Sequence, residues 1–247
     1  MSQLLDRVRV VLVEPSHPGN IGAAARALKT MGLSRLAVVN PKRFPDPQAE
    51  WRAAGARDVL DATRICGDLD EAIADCRWVV GTSTRNRRIP WPLLSAEQAA
   101  AQAFEEADGD IAILFGRENS GLSNEELQKC HCHLQIPASP QYSSLNLAMA
   151  VQVVCYELFK HAGETQTRSP EWDRPFATMA QLEELLEHLK NVLVASSFLD
   201  DDNPGQTLTR LRRLLMRLRP DVTEVQMLRG VLTHLGKSLG EGNSGPK

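Results

Sequence analysis

The chain has 247 residues, room for one large domain or one domain with a small appendage, and its 43% hydrophobic and 24% charged content belongs to an ordinary globular protein. Its longest early apolar run, Val10–Val13, is far short of the ~20 residues that span a bilayer, its five cysteines are scattered, and no basic segment precedes a long apolar run at the N-terminus. A cytoplasmic protein is expected, and a net charge of −3 excludes a uniformly basic nucleic-acid coat while leaving room for local patches among 28 Lys and Arg.

Over the first ~160 residues, short apolar runs alternate with helical patterns, which predicts an α/β domain with a mostly parallel sheet. Strands are predicted at Val8–Val13, Leu36–Val39, Trp78–Gly81, Ile111–Phe115 and His133–Ile136, with a weaker one near Asp58–Leu60. Helices are predicted at Gly22–Met31, Leu69–Cys76, Ala96–Ala107, Asn124–Cys130 and Leu145–His161. The polar stretch from Gly163 to Pro175, broken by two prolines, reads as a linker. Beyond it only helices follow, at Met179–Val194, Thr207–Leu218 and Asp221–Leu239, before a tail expected to be disordered. The division predicted is therefore residues 1–162, a linker at 163–175, and a helical extension at 176–247.

Three loops carry the residue types that chemistry needs. The first, Glu14 to Arg26, is a Gly-rich strand-to-helix turn that would present backbone N–H groups to an anion, or would simply let the chain fold back. It lacks the glycine pattern of a dinucleotide fingerprint and the Gly-Lys-Ser/Thr of a P-loop. The second, Leu114 to Leu122, runs an apolar strand into Gly116, Arg117, Glu118 and Gly121, at the strand end where open parallel sheets bind ligands; an incidental surface ion pair is the plainer alternative. In the third, Ile136 to Ala150, a serine at 143 or 144 would cap the following helix, yet capping leaves Tyr142, the second serine and Asn146 unexplained.

Cys130-His131-Cys132-His133 has the residue types of a metal cluster. In an extended strand, however, cysteines and histidines face opposite sides, and no second ligand pair follows at zinc-finger spacing, so no metal is expected. Among the histidines His17 stands in the first loop, whereas His161, His188 and His234 fall on helix surfaces. The run Arg210 to Arg219 holds five arginines and no acid. Helical spacing puts Leu211, Leu214, Leu215 and Leu218 on one stripe, flanked by Arg210, Arg213 and Arg217 on one side and Arg212 and Arg219 on the other. Such a helix is either a solvated face or a phosphate-contacting patch.

Taken in order, the three loops resemble the three motifs of the SPOUT class of RNA ribose methyltransferases. The matching residues are Asn20-x-Gly22-x-x-Ala25-Arg26, then Phe115-Gly116-Arg117-Glu118-x-x-Gly121-Leu122, then Tyr142-x-Ser144-Leu145-Asn146-Leu147-Ala148-x-Ala150. The opening strand with its Glu14 to Gly22 continuation, Val79 to Ser83, Arg88 to Pro92, Asn124 to Cys130 and the C-terminal Arg-rich helix are similar to the bacterial TrmJ family, closely over residues 8–160 and more loosely beyond. The resemblance implies S-adenosylmethionine-dependent methylation of the ribose 2′-hydroxyl of nucleotide 32, a C or U in the tRNA anticodon loop. It implies a parallel-sheet domain ending in a trefoil knot, and a homodimer whose active sites are shared between subunits. The methyl donor would lie against Thr82, Ser83, Thr84, Gly116, Ile136, Ser143, Ser144 and Leu145. Catalysis would fall to Arg26, Ser144 and Asn20, and RNA contacts to Arg26, Arg117, Arg210, Arg213 and Arg217.

Those residue types suit the implied reaction. Methyl transfer from a sulfonium is a direct displacement that needs alignment and an activated hydroxyl. A guanidinium stays protonated, so Arg26 is expected to stabilise the developing alkoxide, with an RNA phosphate taking the proton and Ser144 and Asn20 positioning. The 5% aromatic content argues against recognition by stacked aromatic platforms, leaving phosphates and RNA shape to dominate. Methylation of ribosomal RNA or of another tRNA position, and a non-catalytic RNA-binding module, are the alternatives.

Overall fold

Six residues, Val8–Val13, form the first strand (β1), and every one of them is buried. In the computed structural model, which describes residues 5–83, 91–105, 109–139, 141, 144–164, 174–202 and 205–242, this strand belongs to a seven-stranded sheet. The chain divides into two compact units, Met1–Glu171 and Trp172–Lys247.

In the first unit β1 is followed by helix α1 (Pro18–Thr30), β2 (Arg35–Val39), α2 (Pro47–Ala53), a short 3₁₀ turn (Ala54–Ala56), α3 (Arg57–Asp61), β3 (Arg64–Cys66) and α4 (Leu69–Ile73). Then come β4 (Cys76–Thr82), β5 (Leu93–Ser95), α5 (Ala96–Glu105), β6 (Asp110–Phe115), α6 (Asn124–Gln128), β7 (Cys132–Gln135) and α7 (Leu147–Glu164). The strand order is β3-β2-β1-β6-β4-β7-β5 and every pairing is parallel, with Val10 and Val80 both in register with Ile113 of β6. Two strands late in the chain are thus inserted between earlier ones, β6 between β1 and β4, and β7 between β4 and β5.

The near-continuous apolar character of β1, β4 and β6 follows from burial on both faces. Ile21 and Leu28 of α1 and Val151, Val154 and Leu158 of α7 pack with Val10, Leu12, Ile113 and Phe115 in one core. Helix α1 begins where Pro18 takes the first helical position, with Nδ1 of His17 accepting from Gly19 N as its cap. Helix α2 crosses α1 so closely that a Cβ at Gly22 would lie 2.0 Å from the Ala49 carbonyl oxygen, so only glycine fits there.

At the N-terminal edge of the sheet sits a charged cluster. Arg9 is 5% exposed, donates to both carboxylate oxygens of Asp75 at 2.7 and 2.8 Å and to the Ala72 carbonyl at 2.7 Å, and lies 3.4 Å from Asp110. Arg35 holds the same Asp110 at 2.6 Å.

The weaker strand expected near Asp58–Leu60 is instead helix α3, with strand β3 beginning at Arg64. Val59 and Leu60 are buried as neighbours on one turn, and three residues suffice for the edge strand that follows. Helix α2 and strand β5 were not predicted. Of the stretch 163–175 read as a linker, residues 163 and 164 belong to α7, which runs to Glu164, and at its other end Val222 N donates to the carbonyl of Pro175.

The second unit contains α8 (Met179–Ala195), α9 (Thr207–Leu218) and α10 (Val222–Gly242). Thr178 and Gln181 form a reciprocal capping box at the start of α8, and Leu182, Leu185, Leu215, Met216, Val225 and Leu232 are buried. Helix α9 is rolled away from the predicted stripe: Leu215 and Met216 are buried, while Leu214 and Leu218 are 47% and 62% exposed. The cause lies on one arginine flank. Arg212 pairs with Glu183 of α8, and the Arg219 guanidinium lies 4.5 Å from the Phe176 ring centre, so these long side chains cover the packed side. Burial lowers the Arg219 pKa to about 10. Arg210 and Arg217 are exposed.

Candidate functional site

Because the strands are parallel, the C-terminal ends of β1, β6, β4 and β7, neighbours in that order, lie along one edge of the sheet. The three loops singled out in the sequence follow β1, β6 and β7, so the topology gathers segments more than 100 residues apart.

The loop after β6 folds back on itself. Arg117 N donates to the Gly121 carbonyl at 3.2 Å, and Gly121 N returns a bond to the Arg117 carbonyl at 2.8 Å. A Cβ on Gly116 would stand 2.1 Å from the carbonyl carbon of Gly121, so a side chain there would prise the loop open. Arg117 braces it from outside, donating to both oxygens of Glu14 at 2.9 and 2.7 Å and to both oxygens of Glu126 at 3.0 and 2.9 Å. Glu126 also closes the capping box of α6 with Ser123. Arg117, expected to contact RNA, donates to these two carboxylates and ties the β1 and β6 loops together. The bond from Arg117 lowers the pKa of Glu14.

Glu118 does not pair with its neighbour. Its Oε2 accepts from Ser16 N and Oγ at 3.0 and 2.9 Å, and its Oε1 accepts from His17 N at 3.2 Å and Asn20 Nδ2 at 2.9 Å. Burial raises its pKa, but the bonds donated by Asn20 and Ser16 outweigh burial and leave the carboxyl lowered to about 2. Asn20 Oδ1 accepts from Asn146 Nδ2 at 3.1 Å, and Asn146 Oδ1 accepts from Ala148 N at the start of α7. One chain of bonds thus joins all three motif loops. Glu118, present in the second motif but given no role there, is the group on which these bonds converge, and an acid standing directly after Arg117 was its only mark in the sequence.

Beside this network lies a cavity of about 480 Å³. Six of the eight residues expected around the methyl donor line it: Thr82, Ser83, Gly116, Ile136, Ser144 and Leu145. Thr84 and Ser143 lie outside the described residues. Phe115, Leu122 and Leu134 supply further apolar wall. Thr82 is fixed by donation from its Oγ1 to the Leu114 carbonyl at 2.8 Å, and Ser83 N donates to the Leu134 carbonyl at 2.9 Å.

Arg26 is not among the residues that line the cavity. It is exposed on α1, and among the described residues it has no ion pair. The Cys-His run is core: Nδ1 of His131 accepts from Val79 N, His133 Nε2 sits 3.1 Å from the Leu127 carbonyl oxygen, and Trp91 stacks on His133. Burial lowers the His131 pKa to about 4 and pushes the Cys132 thiol up to about 12. No group of three His, Cys, Asp or Glu among the described residues is placed to hold a metal ion, and no described helix is long and apolar enough to cross a membrane.

Residues 7–156 match the family model of the SpoU rRNA methylases, and residues 180–244 match the C-terminal domain of the tRNA methyltransferase TrmJ. The tRNA (cytidine/uridine-2′-O-)-methyltransferase TrmJ of Pectobacterium atrosepticum is 46% identical over 96% of this chain and 100% of its own length. The crystal structure of TrmJ from Z. mobilis superposes with a TM-score of 0.81 at 35% identity, covering 92% of this chain and 98% of the other. The SpoU methyltransferase AviRb from Streptomyces viridochromogenes, solved in complex with the cofactor AdoMet, shares the fold at a TM-score of 0.53 and 24% identity, over 65% of this chain and 62% of its own.

Proposed function

As the chain belongs to the SpoU methylase family and ends in a TrmJ C-terminal domain, we propose that it uses S-adenosylmethionine to methylate the ribose 2′-hydroxyl of the cytidine or uridine at position 32 in the tRNA anticodon loop, in the cytoplasm. The observation that carries this reading is the cavity at the C-terminal sheet edge, where six residues of the expected donor site meet. Its mixture of apolar wall and hydroxyl groups, and its volume, suit a nucleoside cofactor.

When bound, S-adenosylmethionine supplies an electrophilic methyl group on a sulfonium. The protein's part is alignment and charge. Thr82, Ser83 and Ser144 offer hydroxyls for orientation, and the folded loop at Gly116 lets backbone approach the cofactor. Arg26 stabilises negative charge developing on the 2′-oxygen, an RNA phosphate receives the proton, and Asn20, held between Glu118 and Asn146, fixes the loop from which α1 starts. Arg26 stands outside the cavity wall of its own chain, which favours a homodimer in which it serves the cavity of a second copy. The interleaved strand order supports the family's knotted threading. We assign residues 1–162 to the methyltransferase domain and 176–247 to an RNA-binding extension.

The test is to incubate the protein with S-adenosylmethionine and tRNA transcripts and map ribose methylation by mass spectrometry. Methylation at nucleotide 32 is expected. Methylation elsewhere moves the target, and none on any tRNA or rRNA sinks the enzyme assignment. Changing Arg213 and Arg217 to Ala is expected to weaken tRNA affinity and to flatten its salt dependence by about one log–log unit per lost phosphate contact, with cofactor binding unaltered.

A further inference from the structure

Aromatic residues are few, yet one of the tryptophans stands in water beside the loops of the site. Trp78 is buried in β4 and Trp91 is stacked on His133, whereas Trp51 of α2 is 73% exposed. The helix explains its direction. Ala49 and Ala53 are the buried face of α2, locked against α1, so Trp51, two residues from each, points outward. The Arg52 guanidinium lies 5.2 Å from the Trp51 ring centre, and Arg52 Cγ is 3.5 Å from where a Cβ on Gly19 would be. The indole and its cation are thereby tied to the start of α1, next to His17 and Asn20, about two turns along that helix from Arg26.

The ion pairs on and beside α2 are made by other residues. Arg43 holds Asp46 at 2.8 Å, Arg57 holds Glu50 at 3.2 Å, and Lys29 holds Asp58 at 2.7 Å. Among the described residues Arg52 has no carboxylate partner, so its charge is left for an anion from outside. An exposed indole beside an uncommitted guanidinium is what an unpaired nucleotide requires: a π-face for its base and a cation for its phosphate.

We propose that Trp51 and Arg52 form a docking platform for one unstacked nucleotide of the RNA substrate, close to the nucleotide that is methylated, with Trp51 stacking on the base and Arg52 meeting the phosphate. This rests on the RNA methyltransferase reading and adds a specificity contact to it. Low aromatic content argues against an extended stacking surface, whereas a platform for one base needs only one well-placed indole.

Methylation kinetics on a tRNA transcript are to be compared for the wild type, Trp51→Ala, Trp51→Phe and Arg52→Ala, with cofactor affinity measured by calorimetry and Tm recorded for each. Trp51→Ala is expected to raise KM for tRNA by about five- to a hundredfold, with kcat at saturating tRNA, cofactor Kd and Tm near wild type. Trp51→Phe, which keeps a π-face, retains most of the affinity. Arg52→Ala lowers the salt slope of tRNA binding by about one unit. A Trp51→Ala enzyme whose KM for tRNA stays within twofold of wild type overturns the platform while leaving the methyltransferase reading intact. So does a variant that changes only the sedimentation behaviour, since Trp51 would then face another protein chain. A wild type that methylates no RNA removes the function reading and the platform with it.

Discussion

The two edges of the parallel sheet carry the same kinds of charged residue and put them to opposite uses. At the N-terminal edge Arg9, Arg35, Asp75 and Asp110 satisfy one another, and the nearly buried Arg9 adds a backbone carbonyl. At the C-terminal edge the carboxylate of Glu118 meets no cation among the described residues. It accepts from backbone N–H groups, a hydroxyl and an amide, and so holds the loops of β1 and β6 at fixed distance. Arg117 closes the same pair of loops from the other side. Two cations near this edge, Arg26 and Arg52, find no ion pair among the described residues. A cluster of ionised side chains is therefore not a sign of chemistry. What marks the site is charge spent on shaping backbone around a cavity, with cations beside it held in reserve.

Removing the reserve should have the largest effect. Arg26→Ala is expected to lower turnover by at least about a hundredfold while calorimetric cofactor affinity stays near wild type. Near-normal turnover would erase the distinction between the two edges. Next comes the shaping group: Glu118→Ala is expected to cost up to about a hundredfold in kcat/KM, because loosened loops misplace the reacting groups, with a much smaller change in Tm. At the opposite edge the expectation reverses. Arg9→Met should lower unfolding free energy by about 2 kcal/mol in urea titrations, less than for a fully buried pair because Asp75 is 53% exposed, with activity per folded molecule unchanged.

The smallest effect expected is on acid stability. Glu118 ordinarily titrates near 4.5 and is held at about 2, and Asp75 is lowered from 3.8 to about 2 by its bond from Arg9. Both contributions are complete above the ordinary carboxyl values and are lost as pH falls from there toward 2. Tm measured against pH should therefore fall more gently in that window for Glu118→Gln than for the wild type, while the two curves run parallel above pH ~6. Parallel curves throughout would mean that the Glu118 bonds are not kept in solution.

Much of the first unit was legible in order. The strands at Val8–Val13 and Ile111–Phe115 were predicted at or within one residue of their ends, since continuous apolar runs bounded by polar residues leave few alternatives. Helix α2 was missed because it is short, with only Ala49 and Ala53 buried, too weak a periodicity to stand out. The Asp58–Leu60 segment misled because two adjacent apolar residues fit a strand as well as one turn of helix. In α9 the spacing of leucines pointed to Leu214 and Leu218, whereas packing followed Arg212 and Arg219, whose partners Glu183 and Phe176 lie 29 and 43 residues earlier in the chain.

The three motif loops, their order, and the residue types they hold were determined by the sequence itself, because local backbone demands and the chemistry of individual side chains are written in short windows. Which groups would meet was decided only in three dimensions. Neither Glu118 nor Asn20 carries any local mark of the other, 98 residues away, and their bond at 2.9 Å exists because β6 is inserted beside β1. The same holds for Arg117 with Glu14, and for the exposure of Trp51, which follows from Ala49 fitting against Gly22. Contacts between distant segments depend on strand order, and strand order is a property of the whole packed sheet rather than of any stretch of chain.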